Sequence, residues 1–239
     1  MSILNNLLVI ILLLPIYCNS QTCIIVATNK DSIVIGADSR RALVYYSETD
    51  QKKIIQSICK IHYEGNVYFA VAGKTDSIST LKARLAARKF KTPKEAADQY
   101  LITMLPEFEK YLKLMVSIKP QLILDYQEIS VIFTGFVNGK PECYRVYLGC
   151  YSGVNKPIKI DTKIDPIPFV LAIGRKDEIA ELINKGSTWR ESTLAKTIVQ
   201  LINIEIAMVP EEVAPPVDLL VIYKNGLKRW ISKKQKCSN

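Results

Sequence analysis

Thr22 stands two residues beyond the end of an apolar leader, and that position gives an ordinary threonine a specific chemical opportunity. A threonine hydroxyl alone is a weak nucleophile. At a free chain end it gains its own general base, the α-amino group of the same residue. That amine ordinarily has a pKa near ~8, so a modest depression leaves it neutral and able to take the hydroxyl proton at pH 7. Removing residues 1–21 creates such an end, and the chain then opens Thr22-Cys23-Ile24-Ile25-Val26. Other nucleophile systems have less to work with. The single histidine, His62, lies beside a turn in a strand pattern, which disfavours Ser-His-Asp and Cys-His chemistry. Cys23 as nucleophile requires a cut one residue later. No glycine-rich phosphate loop, H-E-x-x-H helix or Cys/His metal spacing is present in the sequence, so neither cofactor nor metal is expected.

The leader reads MSILNNLLVIILLLPIYCNS, with an apolar run from Leu7 to Leu14. That run is short for a bilayer-crossing helix of about 20 residues and matches the core of a secretory signal. Cys18, Asn19 and Ser20 follow it, although no Lys or Arg precedes it. Export to a periplasm or the medium is the expectation, with an uncleaved membrane anchor as the alternative. Pro15-Ile16-Tyr17 makes a poor approach to a lipid-modified Cys18. Residues 22–239 then read as one domain with no linker, repeat or low-complexity tract.

The 239-residue chain has a net charge of +9. Its basic residues are scattered except for the run Lys228 to Lys236, which reads as a solvated end and not as a nucleic-acid site. Five cysteines follow the leader (Cys23, Cys59, Cys143, Cys150, Cys237), an odd number without a C-x-x-C pair. Sequence does not fix their pairing, and Cys143 with Cys150 is one conceivable bridge.

The elements that must position Thr22 are legible from turns and periodicity. Residues 22–28 and 33–37 predict a hairpin across Asn29-Lys30-Asp31-Ser32, and 57–62 with 66–72 predict a second around Glu64-Gly65. A helix is expected over 77–90. Thr92-Pro93-Lys94-Glu95 forms a capping box that starts another toward Met104, with a kink or restart at Pro106. Strands 129–137 and 142–149 flank Asn138-Gly139-Lys140-Pro141. Thr188 and Glu191 suggest a capping box before a helix over 190–207, and strands 217–223 and 227–231 close the chain. Strands as apolar as ISVIF and VDLLVIY imply sheets covered on both faces. Two stacked sheets between helix layers follow, an α+β, four-layer αββα sandwich.

From Thr22 to Gly73 above all, and more loosely over the rest of the mature chain, the sequence resembles the proteasome β subunits and their bacterial relatives, N-terminal threonine hydrolases. The resemblance implies the αββα fold and a set of roles. The aspartate of an A-D-S-R-like segment sixteen residues after the nucleophile matches Asp38 in Gly36-Ala37-Asp38-Ser39-Arg40. A lysine bonded to that aspartate comes next. Straight counting reaches Ile54, so the connecting loop must differ in length, and Lys53 and Lys60 are the candidates. The family lysine precedes the glycine of an A-G pair by thirteen or fourteen residues; Lys60 precedes Gly73 by thirteen and Lys53 by twenty, which favours Lys60. In Ala70-Val71-Ala72-Gly73, Gly73 would offer an oxyanion N–H and Val71 would line the pocket for the side chain before the cut. A buried ammonium beside Thr22 would lower the proton affinity of its hydroxyl and amine, and Asp38 would keep that ammonium charged.

Departures from the family pattern are also plain. Arg175 replaces the serine of its G-S-G-S loop in Ala172-Ile173-Gly174-Arg175-Lys176-Asp177. The later aspartate and serine are not in register in Pro210-Glu211-Glu212-Val213-Ala214-Pro215-Pro216, where Glu205 and Glu211 are the nearby acids. Gln21 stands where self-processing subunits favour glycine. The leading expectation is an exported threonine-type peptidase, a homo-oligomer acting on peptides or unfolded protein without nucleic acid or stable membrane insertion. The alternatives are a small-amide hydrolase with the same machinery and a non-catalytic structural or binding subunit.

Overall fold

Alternating and continuous apolar stretches set the framework. β1 (Cys23–Thr28) and β2 (Ser32–Ala37) form an antiparallel hairpin whose turn is held by Asn29, its Oδ1 accepting from the Asp31 and Ser32 N–H groups. The computed structural model describes residues 22–46, 51–73, 76–118, 127–151, 158–167, 169–174, 176–185 and 193–233. β3 (Arg40–Tyr46) and β4 (Gln51–Ser57) pair with each other as a separate two-stranded ribbon. β5 (Ile61–Glu64) and β6 (Val67–Gly73) follow, then helices α1 (Asp76–Lys89) and α2 (Pro93–Ile118). β7 (Gln127–Val137) and β8 (Lys140–Tyr151) are long strands joined at Asn138-Gly139, with β9 (Lys159–Pro166) beside β8. β10 (Val170–Gly174), α3 (Asp177–Lys185), α4 (Leu194–Met208), β11 (Asp218–Tyr223) and β12 (Lys228–Ser232) complete the described chain.

Two five-stranded antiparallel sheets stack face to face, one ordered β10-β1-β2-β11-β12 and the other β5-β6-β7-β8-β9. Between them lie Ile24, Val26, Ile35 and Leu220 from the first sheet and Tyr68, Ala70, Ala72 and Ile132 from the second. The odd residues of β1 (Cys23, Ile25, Ala27) turn the other way, onto Ile198, Leu201 and Ile202 of α4. α1 and α2 cover the second sheet with Ala83, Ala97, Tyr100, Met104 and Phe108 against Phe69, Val71 and Phe133. The order of layers is α–β–β–α, as the apolar strands imply. Strands sandwiched between two apolar layers have no solvated face, which is why β1 is buried from end to end.

Several sequence expectations need correction. α2 runs unbroken through Pro106. The proline ring forfeits a bond to the Ile102 carbonyl, but Ile102 is 67% exposed, so water can satisfy that oxygen. Strand β5 begins at Ile61 and not at Ser57, because Ser57 still belongs to β4. α4 starts at Leu194 with Thr193 as its N-cap, whose side chain accepts from the Lys196 N–H. The Thr188–Glu191 capping box lies outside the described residues. Cys143 and Cys150 are both free and buried. They sit seven residues apart on one strand and so face opposite sides, roughly 23 Å from each other, far beyond disulfide reach. Cys59 is disulfide-bonded, and the other described cysteines are free. No helix among the described residues is long and apolar enough to cross a membrane.

Candidate active site

Asp38 ends the first hairpin, and the backbone there is built to hold its side chain. Its N–H donates to the Cys23 carbonyl at 3.1 Å, and its Oδ1 accepts from the Cys23 N–H at 2.9 Å. Asp38 is thereby locked against the first strand residue after Thr22. Oδ2 accepts from the Arg40 N–H at 2.9 Å. Asp38 is fully buried and Lys60 is 4% exposed, and the Lys60 Nζ donates to Asp38 Oδ1 at 2.8 Å. An ammonium and a carboxylate taken out of water in this way hold together only as a pair, because either one alone bears the full desolvation cost.

Lys60 reaches this position from the segment between β4 and β5, across the inter-sheet space from β1. Lys53 lies in the middle of β4, paired with Val44 in the separate ribbon. The chain between Asp38 and Lys60 makes a two-stranded excursion, β3 and β4, before it rejoins the sandwich.

Thr22 precedes β1 and is 2% exposed. Two glycines allow close backbone approaches here, Gly174 against Thr22 and Gly73 against Glu128 and Ile129. Gly174, at the end of β10 and opposite Cys23, has φ +77°, and a Cβ there would strike the Thr22 carbonyl oxygen and approach the Ala72 Cβ at 3.2 Å. Gly73, at the end of β6 and opposite Ile129, has φ +127°. A Cβ at Gly73 would strike the Glu128 carbonyl and come within 2.9 Å of the Ile129 Cα. Neither position admits a side chain without moving backbone. Gly174→Ala is therefore expected to lower stability by about 1–3 kcal/mol, since a strained φ and a backbone collision both oppose it. Urea unfolding checks this, and unchanged stability would mean that the turn relaxes away from Thr22 at no cost.

Val71 sits two residues before Gly73 on the face of β6 that packs against α1 and α2, and it is 6% exposed. Cys23 is fully buried, and burial, with the Asp38 and Glu205 carboxylates nearby, drives its thiol pKa far above the usual range. A thiol held protonated in this way is not a nucleophile. Arg175 lies outside the described residues.

Two groups near the site carry little sequence signal. Glu205 is fully buried on α4, and its Oε1 accepts from the Ile179 N–H at 3.2 Å. It ties α4 to the start of α3, just beyond the Gly174 turn. Its sequence cue is positional, since 198, 201, 202 and 205 form one apolar helical stripe that this acid interrupts. Ser130, buried opposite Ala72, donates to Glu128 Oε1. Glu211, the other acid near the expected family aspartate, is exposed on the turn after α4.

No protein-family model matches the chain, and no curated protein sequence matches it. Solved structures do. Anbu, an ancestral β-subunit from Yersinia bercovieri, superposes with a TM-score of 0.50 at 15% identity, covering 89% of this chain and 87% of that one. The eukaryotic HslV of Trypanosoma brucei also gives 0.50 at 15% identity, covering 84% of this chain and 99% of that one. At this identity the likeness concerns fold, and it extends over nearly the whole of each partner.

Proposed function

We propose that this chain, which has the fold of the proteasome-like β subunits and N-terminal-nucleophile hydrolases, is an exported threonine-type peptidase. The observation that carries the reading is the buried Lys60–Asp38 pair at 2.8 Å, bonded through Asp38 to the residue beside Thr22. A sandwich core has no structural need for a buried ion pair, since an apolar pair of similar volume is commonly as stable or more so. Charge at this place has a chemical use.

In the reaction, the Thr22 Oγ attacks the substrate carbonyl while its proton passes to the free α-amine. The Lys60 ammonium stabilises the developing alkoxide, and the Gly73 N–H donates to the oxyanion, a contribution commonly worth ~3–4 kcal/mol. The tetrahedral intermediate then expels the amine half of the substrate, which takes the proton from the α-ammonium, and an ester to Thr22 remains. Water, deprotonated by the same amine, attacks that ester. The carboxylate product leaves and Oγ recovers its proton. Val71, on the side of β6 that faces α1 and α2, is the apolar lining assigned to the substrate side chain before the cut. Catalysis needs the α-amine, so a chain still joined to Gln21 is inactive. Assembly into a homo-oligomer, which restricts access to the sites, completes the reading, with short or unfolded peptides as substrate.

Mass spectrometry of the exported protein is expected to find Thr22 as its first residue, and such protein is expected to cleave fluorogenic peptides without ATP. Light scattering on the same sample is expected to report a multiple of the monomer mass. A mature end upstream of Thr22 removes the base and sinks the mechanism. A verified Thr22 end without turnover shifts the reading to a non-catalytic subunit, which the displaced serine and aspartate positions around Arg175 and Glu211 favour.

A further inference from the structure

We propose that the β11–β12 hairpin and the outer edge of its sheet form a docking surface for an anionic phospholipid membrane. The proposal is independent of the catalytic reading. Among the described residues, β12 is the last strand of its sheet and pairs with β11 alone. One face of it is anchored. Trp230 packs against the inter-sheet core, and the Lys228 Nζ lies 3.6 Å from the centre of the Tyr63 ring. Arg229 on the other face, Ile231 at the bulge beside Ser232, and Lys233, whose Nζ lies 5.6 Å from the centre of the Trp230 ring, are all exposed, while α4 covers β1, β2 and β11.

The turn extends the same surface. Leu227 at its tip is 59% exposed, and Ile231 on the edge is 54% exposed. The Lys224 N–H bonds to the Asp31 carbonyl, which brings Lys30 alongside, and the Lys224 side chain lies over the turn at Gly139 beside Lys140. Lys30, Lys140, Lys224, Arg229 and Lys233 are all exposed, with Asp31 among them and Glu64 beside Tyr63 on β5. None of Lys224, Lys228, Arg229 and Lys233 is in an ion pair with a described residue.

Basic residues on an edge strand also discourage edge-to-edge pairing. That accounts for the charge but not for Leu227 and Ile231 placed among it. Apolar side chains set between lysines and arginines are the pattern of a surface that enters the headgroup layer of an anionic bilayer. A nucleic acid would use the same charge but seeks aromatic faces on which to stack bases. Here Trp230 faces the core and Tyr63 is covered by Lys228. Thr22 lies at the opposite end of β1 from this tip, about 20 Å along the strand, so a docked tip leaves it unobstructed.

Co-sedimentation of the full chain with phosphatidylcholine vesicles, with and without phosphatidylglycerol, tests the proposal. The apolar leader acts alike on both, so the phosphatidylglycerol-dependent part of binding reports on the hairpin. Each charge near the surface contributes about fivefold in binding, so Lys224→Glu, Arg229→Glu and Lys233→Glu together are expected to lower that part by roughly a hundredfold or more. Leu227→Ser with Ile231→Ser, at unchanged charge, is expected to weaken it several-fold. All five side chains are exposed, and circular dichroism confirms that the variants fold. Equal binding to the two vesicles, or full binding by the triple variant, overturns the proposal. So does a DNA duplex held as tightly as the anionic vesicles and insensitive to the serine pair, which would make the patch a polyanion site.

Discussion

Thr22→Ala is expected to leave a folded protein whose peptide hydrolysis falls to background, a loss on the order of 10⁴ or more when a nucleophile is deleted from a working set. The change removes one hydroxyl and one methyl group from a residue that is 2% exposed at the head of β1. The first sheet keeps its register, since Cys23 pairs with Gly174 and Ile24 with Ala37 through backbone that the substitution does not touch. Stability should therefore change by about 1 kcal/mol, the ordinary scale for one hydrogen-bonding group. Thr22→Ser retains both the oxygen and the α-amine and is expected to keep measurable turnover. The comparison must be made on protein whose first residue has been verified, because an uncut chain lacks the base in every variant. Hydrolysis by Thr22→Ala at the parent rate would place the nucleophile elsewhere. Among neighbouring groups the buried Cys23 thiol is a poor substitute, since its surroundings hold it protonated.

Much of this arrangement was legible before any coordinates, and the reasons lie in particular residues. β1 and β2 announce themselves through unbroken β-branched runs and an Asn29-to-Ser32 turn, because both faces of those strands are covered. Asn138-Gly139 marks the β7–β8 hairpin for a local reason, the tight two-residue turn. What escaped notice was decided by distant contacts. Among the described residues β3 and β4 pair only with each other, and their sequences, RRALVYY and QKKIIQS, mix charge with apolar residues without a clean alternation. β9, an edge strand whose residues are exposed or half-buried, reads KIDTKIDP and looks like a loop. Pro106 signals a helix break, but its helix is held by Met104, Phe108 and Leu112 against the second sheet, which outweighs one lost bond. Spacing to Gly73 favours Lys60 over Lys53 in the sequence, and only the fold shows that the segment between Asp38 and Lys60 is lengthened by an excursion through β3 and β4.

Lys60→Ala is expected to cost both stability and activity, and separating the two losses decides what the lysine is for. With Lys60 gone, Asp38 keeps its bonds from the Cys23 and Arg40 N–H groups but loses its charged partner in a site without solvent. Breaking a buried pair from one side typically costs about 3–5 kcal/mol. That loss alone could disorder the site, so Lys60→Ala by itself does not identify a chemical role. Lys60→Met with Asp38→Asn removes both charges and keeps similar volume. Neutral replacement of a buried pair is commonly neutral or stabilising, so the double variant should recover most of the stability and be markedly non-additive with its single changes. Turnover should not recover with it. Without the Lys60 ammonium, the alkoxide loses the side-chain charge that the proposed mechanism uses to stabilise it during attack. Lys53→Ala, on β4 in the separate ribbon, is expected to leave turnover near the parent value. Urea unfolding and single-turnover peptide hydrolysis on Lys60→Ala, Lys53→Ala, the double variant and its two single changes give the two readouts. Recovery of activity together with stability in the double variant would make the pair a structural device. Loss of activity in Lys53→Ala with Lys60→Ala still active would move the lysine to β4.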